Sequence, residues 1–503
     1  MPDTLIQHFN EAAAKAGAAT ALVWRGTRWS YWDLQTAIAG AAAGLAGRAP
    51  ARGARVALLL RNSPQYVALY YGVLTAGLVA VPLNAQERAS VLARQIAHCE
   101  ASIVVGSTDH PEWPALSAAA ATAGCAVVPI APRDDDSALE QFLRDLASGR
   151  AAPGAPPEAA ELASIIYTSG TTGRPKGVML SHGNLATNAR AIVSYLGITS
   201  ADRGLCVLPF HFSYGNSVLH SHLLAGAALV LEDNLAFPHL TVQRLQDEAI
   251  TGFAGVPSTF ALLLGRCNFR DFNLSKLRYL TQAGGAMARP LIERLRAELP
   301  AVQLFIMYGQ TEATARLTYL PPERLTDKLG SVGVAVPGVE IDVRLDGQSV
   351  PTGEIGEIVA RGDSIMQGYW NDATATHEVL RDGWLRTGDL GHRDADGFLY
   401  IDGRSVDMIK VGAFRVSPQE IEEVISAVPG VEEVCAAAMP DDLLGQAVKA
   451  VIVRTEGATL DERAVKAHCR QHLAAYKVPK TVEFVSVMPR TASGKIQRFK
   501  LAN

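Results

Sequence analysis

Along most of the chain, short runs of apolar and β-branched residues alternate with longer stretches rich in alanine and leucine. Residues 55–60, 102–105, 163–167 and 228–231 have the length and residue types of buried strands, and the segments between them have helical character. That alternation predicts an α/β fold. Residues 66–83 carry no charge, yet they hold two glycines, Thr75, three tyrosines and Pro82, which predicts a buried helix followed by a core strand rather than a membrane span. The stretch 151–160, AAPGAPPEAA, is too rich in Pro, Gly and Ala to pack as an element and reads as a surface connector. Around 397–404, GFLYIDGR, a strand ends in a turn, and a more compact order of strand, helix, strand, helix and strand follows. A large domain over 1–403 and a small α+β domain over 404–503 are therefore expected. The first helix of the small domain is predicted over 418–427, with Ser417 as N-cap, Pro418 at the first helical position and Glu420 completing a capping box.

Composition narrows the function classes. Lys and Arg number 46 against 50 Asp and Glu, a net charge of −4 with no concentrated basic stretch, so nucleic acid is excluded as the main partner. With 48% hydrophobic and 19% charged residues, the 503-residue chain can bury a large core. The cysteines at 99, 125, 206, 267, 435 and 469 form no CxxC pair and read as buried free thiols of a cytoplasmic protein. Asp3, Glu11 and Lys15 interrupt any signal-peptide pattern, and no basic amphipathic helix or integral membrane segment is expected.

The chemistry concentrates after the strand at 163–167, in Thr168, Ser169, Gly170, Thr171, Thr172, Gly173, Arg174, Pro175, Lys176 and Gly177. Glycines let backbone N–H groups approach an anion, hydroxyls add donors, and Lys176 supplies a compact positive charge. These features suit a triphosphate. The loop is not a Walker A motif, because Pro175 precedes the lysine and Gly177 follows it where Ser or Thr would stand.

Further motifs follow in a fixed order: Gly284, Gly285 and Ala286; Tyr308, Gly309, Gln310, Thr311 and Glu312; Thr387, Gly388 and Asp389; Gly403 and Arg404; and Pro489 through Lys495. With the phosphate loop, this set resembles the adenylate-forming superfamily of acyl-CoA synthetases, aryl-CoA ligases, luciferases and peptide-synthetase adenylation domains, over nearly the whole chain. The resemblance implies binding of ATP, Mg²⁺ and CoA, and activation of a small-molecule carboxylate as an acyl-adenylate before transfer to a thiol. An acyl carrier protein phosphopantetheine as acceptor, or a non-catalytic ATP-binding protein, are the alternatives. By resemblance, Thr311 contacts the α-phosphate, Glu312 binds Mg²⁺, Tyr308 stacks near the adenine, and Gly284, Gly285 and Ala286 lie on the adenine side. Asp389 and Arg404 hold the ribose, and Arg415 contacts phosphates. Lys495 enters the cleft during adenylation to pair with the substrate carboxylate and the α-phosphate, where a fixed ammonium offsets the repulsion of two anions.

Departures from the family pattern bear on the substrate and on the second step. Phe212 stands where family ligases often carry histidine, His211 lies one residue early, and Ser213 stands where amino-acid adenylation domains place an aspartate, so an α-amino acid is disfavoured. Gly309 puts no side chain beside the acyl site, which predicts an acid larger than acetate. Phe212, Tyr214, Gly255, Ala283, Gly284 and Gly309 are the expected acyl-pocket walls. Val406 occupies the family's usual hinge position, and Ala413 aligns with a glycine of the pantetheine tunnel, with Gly412 beside it.

Overall fold

The computed structural model describes all residues except 1–3, 50, 131–154, 169–175, 233–234, 405–408, 412–413, 442–444, 474, 491–495 and 503; for 404, 410, 414, 415, 445 and 499 it describes the backbone alone. The described residues form four sheets with helices packed against them. Two sheets are mainly parallel. The nine-stranded one runs, in spatial order, through Val334–Ala335, Thr318–Leu320, Gln303–Tyr308, Tyr279–Gln282, Gly252–Gly255, Arg203–Cys206, Ala228–Leu231, Thr20–Trp24 and Thr27–Ser30. The seven-stranded one sets Gly368–Tyr369, Lys176–Ser181 and Leu162–Thr168 beside the parallel strands Val79–Pro82, Arg55–Leu59, Ala101–Ser107 and Ala126–Ile130. Between these two sheets lies a continuous core that includes Tyr66, Tyr70, Tyr71 and Phe210. Helix Pro64–Thr75, buried along nearly its whole length, passes through that core and leads to Val79–Pro82, as the uncharged run predicts.

A six-stranded, largely antiparallel sheet includes Trp384–Arg393, on whose edge Leu399–Arg404 pairs. The small five-stranded sheet begins at Ile409 and is built on Val431–Asp441 and Gly445–Arg454, with its own core around Ile421, Ile425 and Ile452. Here the sequence expectation needs correction. The first helix of the small domain spans Pro418–Ser426, and Ser417 precedes it without a capping bond. Ser417 Oγ instead donates to the Asp402 carbonyl, and the Glu420 carboxylate accepts from Lys477 Nζ at 2.6 and 2.7 Å. Partners brought in by the tertiary fold outcompete the local box. Among the described residues, no helix is long and apolar enough to cross a membrane.

Candidate active site

Thr168 and Lys176 are cross-strand partners at the end of the antiparallel pair Leu162–Thr168 and Lys176–Ser181, so the phosphate loop joins two strands rather than a strand and a helix. Both residues face a cleft of about 1490 Å³. Ser169, Gly170, Thr171, Thr172 and Gly173 lie outside the described residues. The helix that follows, His182–Leu196, starts from a closed capping box: Ser181 Oγ accepts from the Asn184 N–H at 3.0 Å and Asn184 Oδ1 accepts from the Ser181 N–H at 2.8 Å. The amide nitrogen of Asn184 then donates to the carbonyls of Asp363 and Ile365 at 2.7 and 2.9 Å.

Those two bonds fix a segment that the motifs did not reveal. Residues 363–370 are tied on one side to the phosphate hairpin, by Gln367 N–H to the Met179 carbonyl and Trp370 N–H to the Gly177 carbonyl. On the other side they are tied to the turn Thr311–Ala313, by Met366 N–H to the Glu312 carbonyl and Thr314 Oγ1 to the Ser364 carbonyl. The result is to place Tyr369 between the two charged motif residues. Its hydroxyl donates to Glu312 Oε1 at 2.8 Å, and Lys176 Nζ lies 4.8 Å from its ring centroid. One face of the ring attracts the ammonium while the hydroxyl orients the carboxylate. Lys176, Tyr369, Thr311 and Glu312 all line the cleft.

Beside that turn, helix Ser213–Leu224 begins at Ser213, whose Oγ is 3.1 Å from Thr311 Oγ1. Phe212 and Tyr214 flank it and line the same cleft with Ala283, Gly284 and Gly309. Gly255 is not on the described wall, where Val256 stands; a Cβ added at Gly255 would lie 3.0 Å from the Phe260 ring and 3.1 Å from Thr259. The reason for glycine at 309 also differs from the expected one. A Cβ there would sit 2.0 Å from the Ala315 carbonyl oxygen, so the position is held by a backbone approach rather than by room for the substrate. His211 is partly buried, its buried Nε2 has no hydrogen-bond partner, and desolvation pushes its ring down to about 4; it is neutral at pH 7.

On the nucleotide side, Tyr308 donates to Asp389 Oδ2 at 2.6 Å. Asp389 is 4% exposed and Tyr308 9%, and the described wall there is made by Thr387, Gly388, Gly309 and Gln310. The structure thus joins the expected adenine and ribose residues to each other beneath the surface of the cleft. Gln282 Nε2 donates to the Gly285 carbonyl at 2.7 Å, which fixes the backbone after Gly284; Gly285 and Ala286 are not on the described wall. The backbone of Arg404 pairs with that of Asp389, bringing two distant motifs into register. The small domain supplies Ser426, Glu432, Glu433, Thr455, Glu456 and Arg490 to the cleft rim. Arg490 and Ile496 form an antiparallel bridge, while Lys495, Val406, Gly412 and Ala413 are outside the described residues, as is the side chain of Arg415.

Glu312 presents one carboxylate among hydroxyls, an oxygen donor set that suits a hard divalent cation held chiefly by phosphates. Among the described residues no group of three or more His, Cys, Asp or Glu is placed to hold a metal by itself. An array that presents an ammonium, a carboxylate and hydroxyls along one deep cleft can hold a polyphosphate beside a second, partly apolar ligand.

Comparison with known proteins gives the same picture. The family model "AMP-binding enzyme" matches residues 9–370, and "AMP-binding enzyme C-terminal domain" matches 420–495. A feruloyl-CoA synthase of Amycolatopsis is 36% identical over 484 residues, covering 95% of this chain and 94% of the relative. Among solved structures, o-succinylbenzoate CoA synthetase of Bacillus subtilis with its acyl-adenylate intermediate superposes with a TM-score of 0.87 at 27% identity, covering 99% of this chain and 98% of the other. The same enzyme is also known with ATP and a magnesium ion. ATP-bound MatB of Rhodopseudomonas palustris gives a TM-score of 0.89 at 33% identity, covering 99% and 98%.

Proposed function

We propose, because the chain belongs to the AMP-binding enzyme family, that its cleft carries out both halves of an acid–thiol ligation, with the residue roles given below. The protein is an AMP-forming ligase: it uses ATP, Mg²⁺ and CoA to convert a carboxylic acid to its acyl-CoA. A carboxylate oxygen attacks the α-phosphorus of ATP and the bond to pyrophosphate breaks; the CoA sulfur then attacks the acyl carbon and the bond to AMP breaks. No base is needed for the first half, since the acid is already ionised at neutral pH.

The observation that supports the residue assignment is the Lys176–Tyr369–Glu312 array beside the Thr311–Ser213 hydroxyl pair. Lys176 faces the phosphates with Thr168 and the loop 169–173. Glu312, oriented by Tyr369, is the group that would hold Mg²⁺, which would offset the charge of the phosphates. Thr311 orients the α-phosphate. Asp389 and Arg404 form the ribose side, Tyr308, which donates to Asp389, stacks near the adenine with Gly284, Gly285, Ala286 and Gln310 on that side, and Arg415 is a phosphate contact. Phe212, Tyr214 and Ala283 wall the acyl site, with Val256 in the place expected for Gly255. Lys495, from the domain over 404–503, enters the cleft during adenylation and lowers the repulsion between the two anions. Rotation of that domain about the strand end at Arg404 then exchanges Lys495 for the face around 410–415. With no membrane-crossing helix among the described residues, the cytoplasm is the proposed location.

Product analysis tests this function. With ATP, Mg²⁺, an aromatic or fatty acid and CoA, the enzyme should form AMP, pyrophosphate and acyl-CoA in equal amounts. ADP as product, or acyl transfer to a holo-carrier protein but not to CoA, would overturn the assignment.

A further inference from the structure

Arg316 follows the turn at Thr311–Ala313 and leads into the strand Thr318–Leu320. It is 2% exposed, and the buried Nε has no hydrogen-bond partner. The guanidinium lies 4.1 Å from the Tyr214 ring centroid, its Nη1 reaches the Ala315 carbonyl only at 3.5 Å, and its other polar neighbour is the Tyr195 hydroxyl. None of these neighbours among the described residues is a carboxylate. The phenols around it do not supply the missing charge. Burial pushes Tyr195 up to about 12 and raises Tyr214 as well, so both are neutral at pH 7. A buried guanidinium without a counter-charge is costly, and five donors in a fixed fork require acceptors.

Position says where an acceptor could come from. Arg316 borders two spaces. One is an enclosed hollow of about 10 Å³ beside Ser217, His222 and Tyr279, with room for no more than a water molecule. The other is the acyl side of the cleft, beside Phe212, Tyr214 and Ala315. An anion can therefore reach the guanidinium only from the cleft, in line with the substrate.

We propose that Arg316 is a specificity-determining residue that selects acids carrying a second oxyanion, a carboxylate or sulfonate, at the end remote from the carboxylate being activated. The proposal rests on the reading of this cleft as an acid-activating site. The remote oxyanion accepts bidentate hydrogen bonds from the guanidinium, completing a pair that the apo fold leaves half-built. The Tyr214 ring holds the fork in its plane.

Matched acids test this: hexanoate against adipate, and cinnamate against 4-carboxycinnamate, in acid-dependent ATP–pyrophosphate exchange. The wild-type enzyme should favour the diacid of each pair by about 10-fold or more in kcat/KM. In Arg316→Met that ratio should fall about 10- to 100-fold, through the KM of the diacid, and Arg316→Lys should keep part of it. The proposal is overturned if the wild-type enzyme prefers the monoacids. It is also overturned if Arg316→Met lowers exchange with all acids equally or raises the KM for ATP, either of which would mark the residue as part of the scaffold or the phosphate site. Should Arg316→Met not fold, the wild-type ratio and Arg316→Lys decide. Exchange with monoacids alone removes this proposal and leaves acid activation standing; no exchange with any acid removes both.

Discussion

Tyr369 illustrates what a residue contributes when it touches two charged groups at once. Tyr369→Phe keeps the ring beside Lys176 and removes only the hydroxyl that orients Glu312, so exchange should fall about 10-fold and the Mg²⁺ concentration for half-maximal rate should rise. A magnesium titration of exchange reads both, and an unchanged midpoint would separate Tyr369 from the metal site. Lys495→Ala should lose about 100-fold or more of adenylation. Little in the sequence could have pointed to Tyr369. It stands in no motif that carries phosphate or metal chemistry, and its position depends on bonds from Asn184, Met179 and Thr314 that join parts of the chain 50 residues or more apart. Lys176, Thr311 and Glu312, by contrast, stand in motifs whose chemistry is written in adjacent residues, and the fold brings them to one cleft.

At the scale of elements, local rules succeeded where burial or a cap agreed with the tertiary fold and failed where they competed. The uncharged run at 66–83 became a buried helix and strand because no polar group on it needed water. The box at Ser417 and Glu420 did not close because Asp402 and Lys477 offered stronger partners. Gly309 was legible as a functional position, but its cause is a backbone approach that only the folded turn shows. Gly309→Ala should lower the melting temperature by several degrees, since the added carbon meets a carbonyl 2.0 Å away. Gly265→Ala, in helix Pro257–Arg266 with nothing within 4 Å of the added carbon, should leave it unchanged or raise it slightly. Equal melting temperatures for the two variants would show that the loop gives way.

Over the whole molecule, buried histidines make stability depend on pH. Burial pushes His182 and His211 down to about 4 and His220 down to about 3, below the ordinary imidazole value of about 6.5. Between those values the unfolded chain binds more protons than the folded one, so stability falls on acidification from about pH 6.5 to 4, by about 1.4 kcal/mol per pH unit for each ring. Melting temperature should drop from pH 7 to pH 5, and His182→Gln should make the drop shallower; an equal slope would remove His182 from the account. The domain junction shows the opposite economy. Arg289 and Glu423 join the two domains at 2.5 Å, but both side chains are about half exposed, so the pair adds little stability and yields easily to rotation.

The change of pattern near 404 points to a large domain followed by a small one, whereas the way Arg490 and Glu433 border the cleft depends on docking that no local pattern encodes. The most direct measurement of the central claim is transfer of label from pyrophosphate into ATP, with acid present and thiol absent, followed by acyl transfer to CoA from acyl-adenylate supplied to Lys495→Ala. The account predicts acid-dependent exchange in the wild-type enzyme, its loss in the variant, and transfer retained by the variant. Exchange that ignores the acid, or equal loss of both halves in the variant, would contradict it.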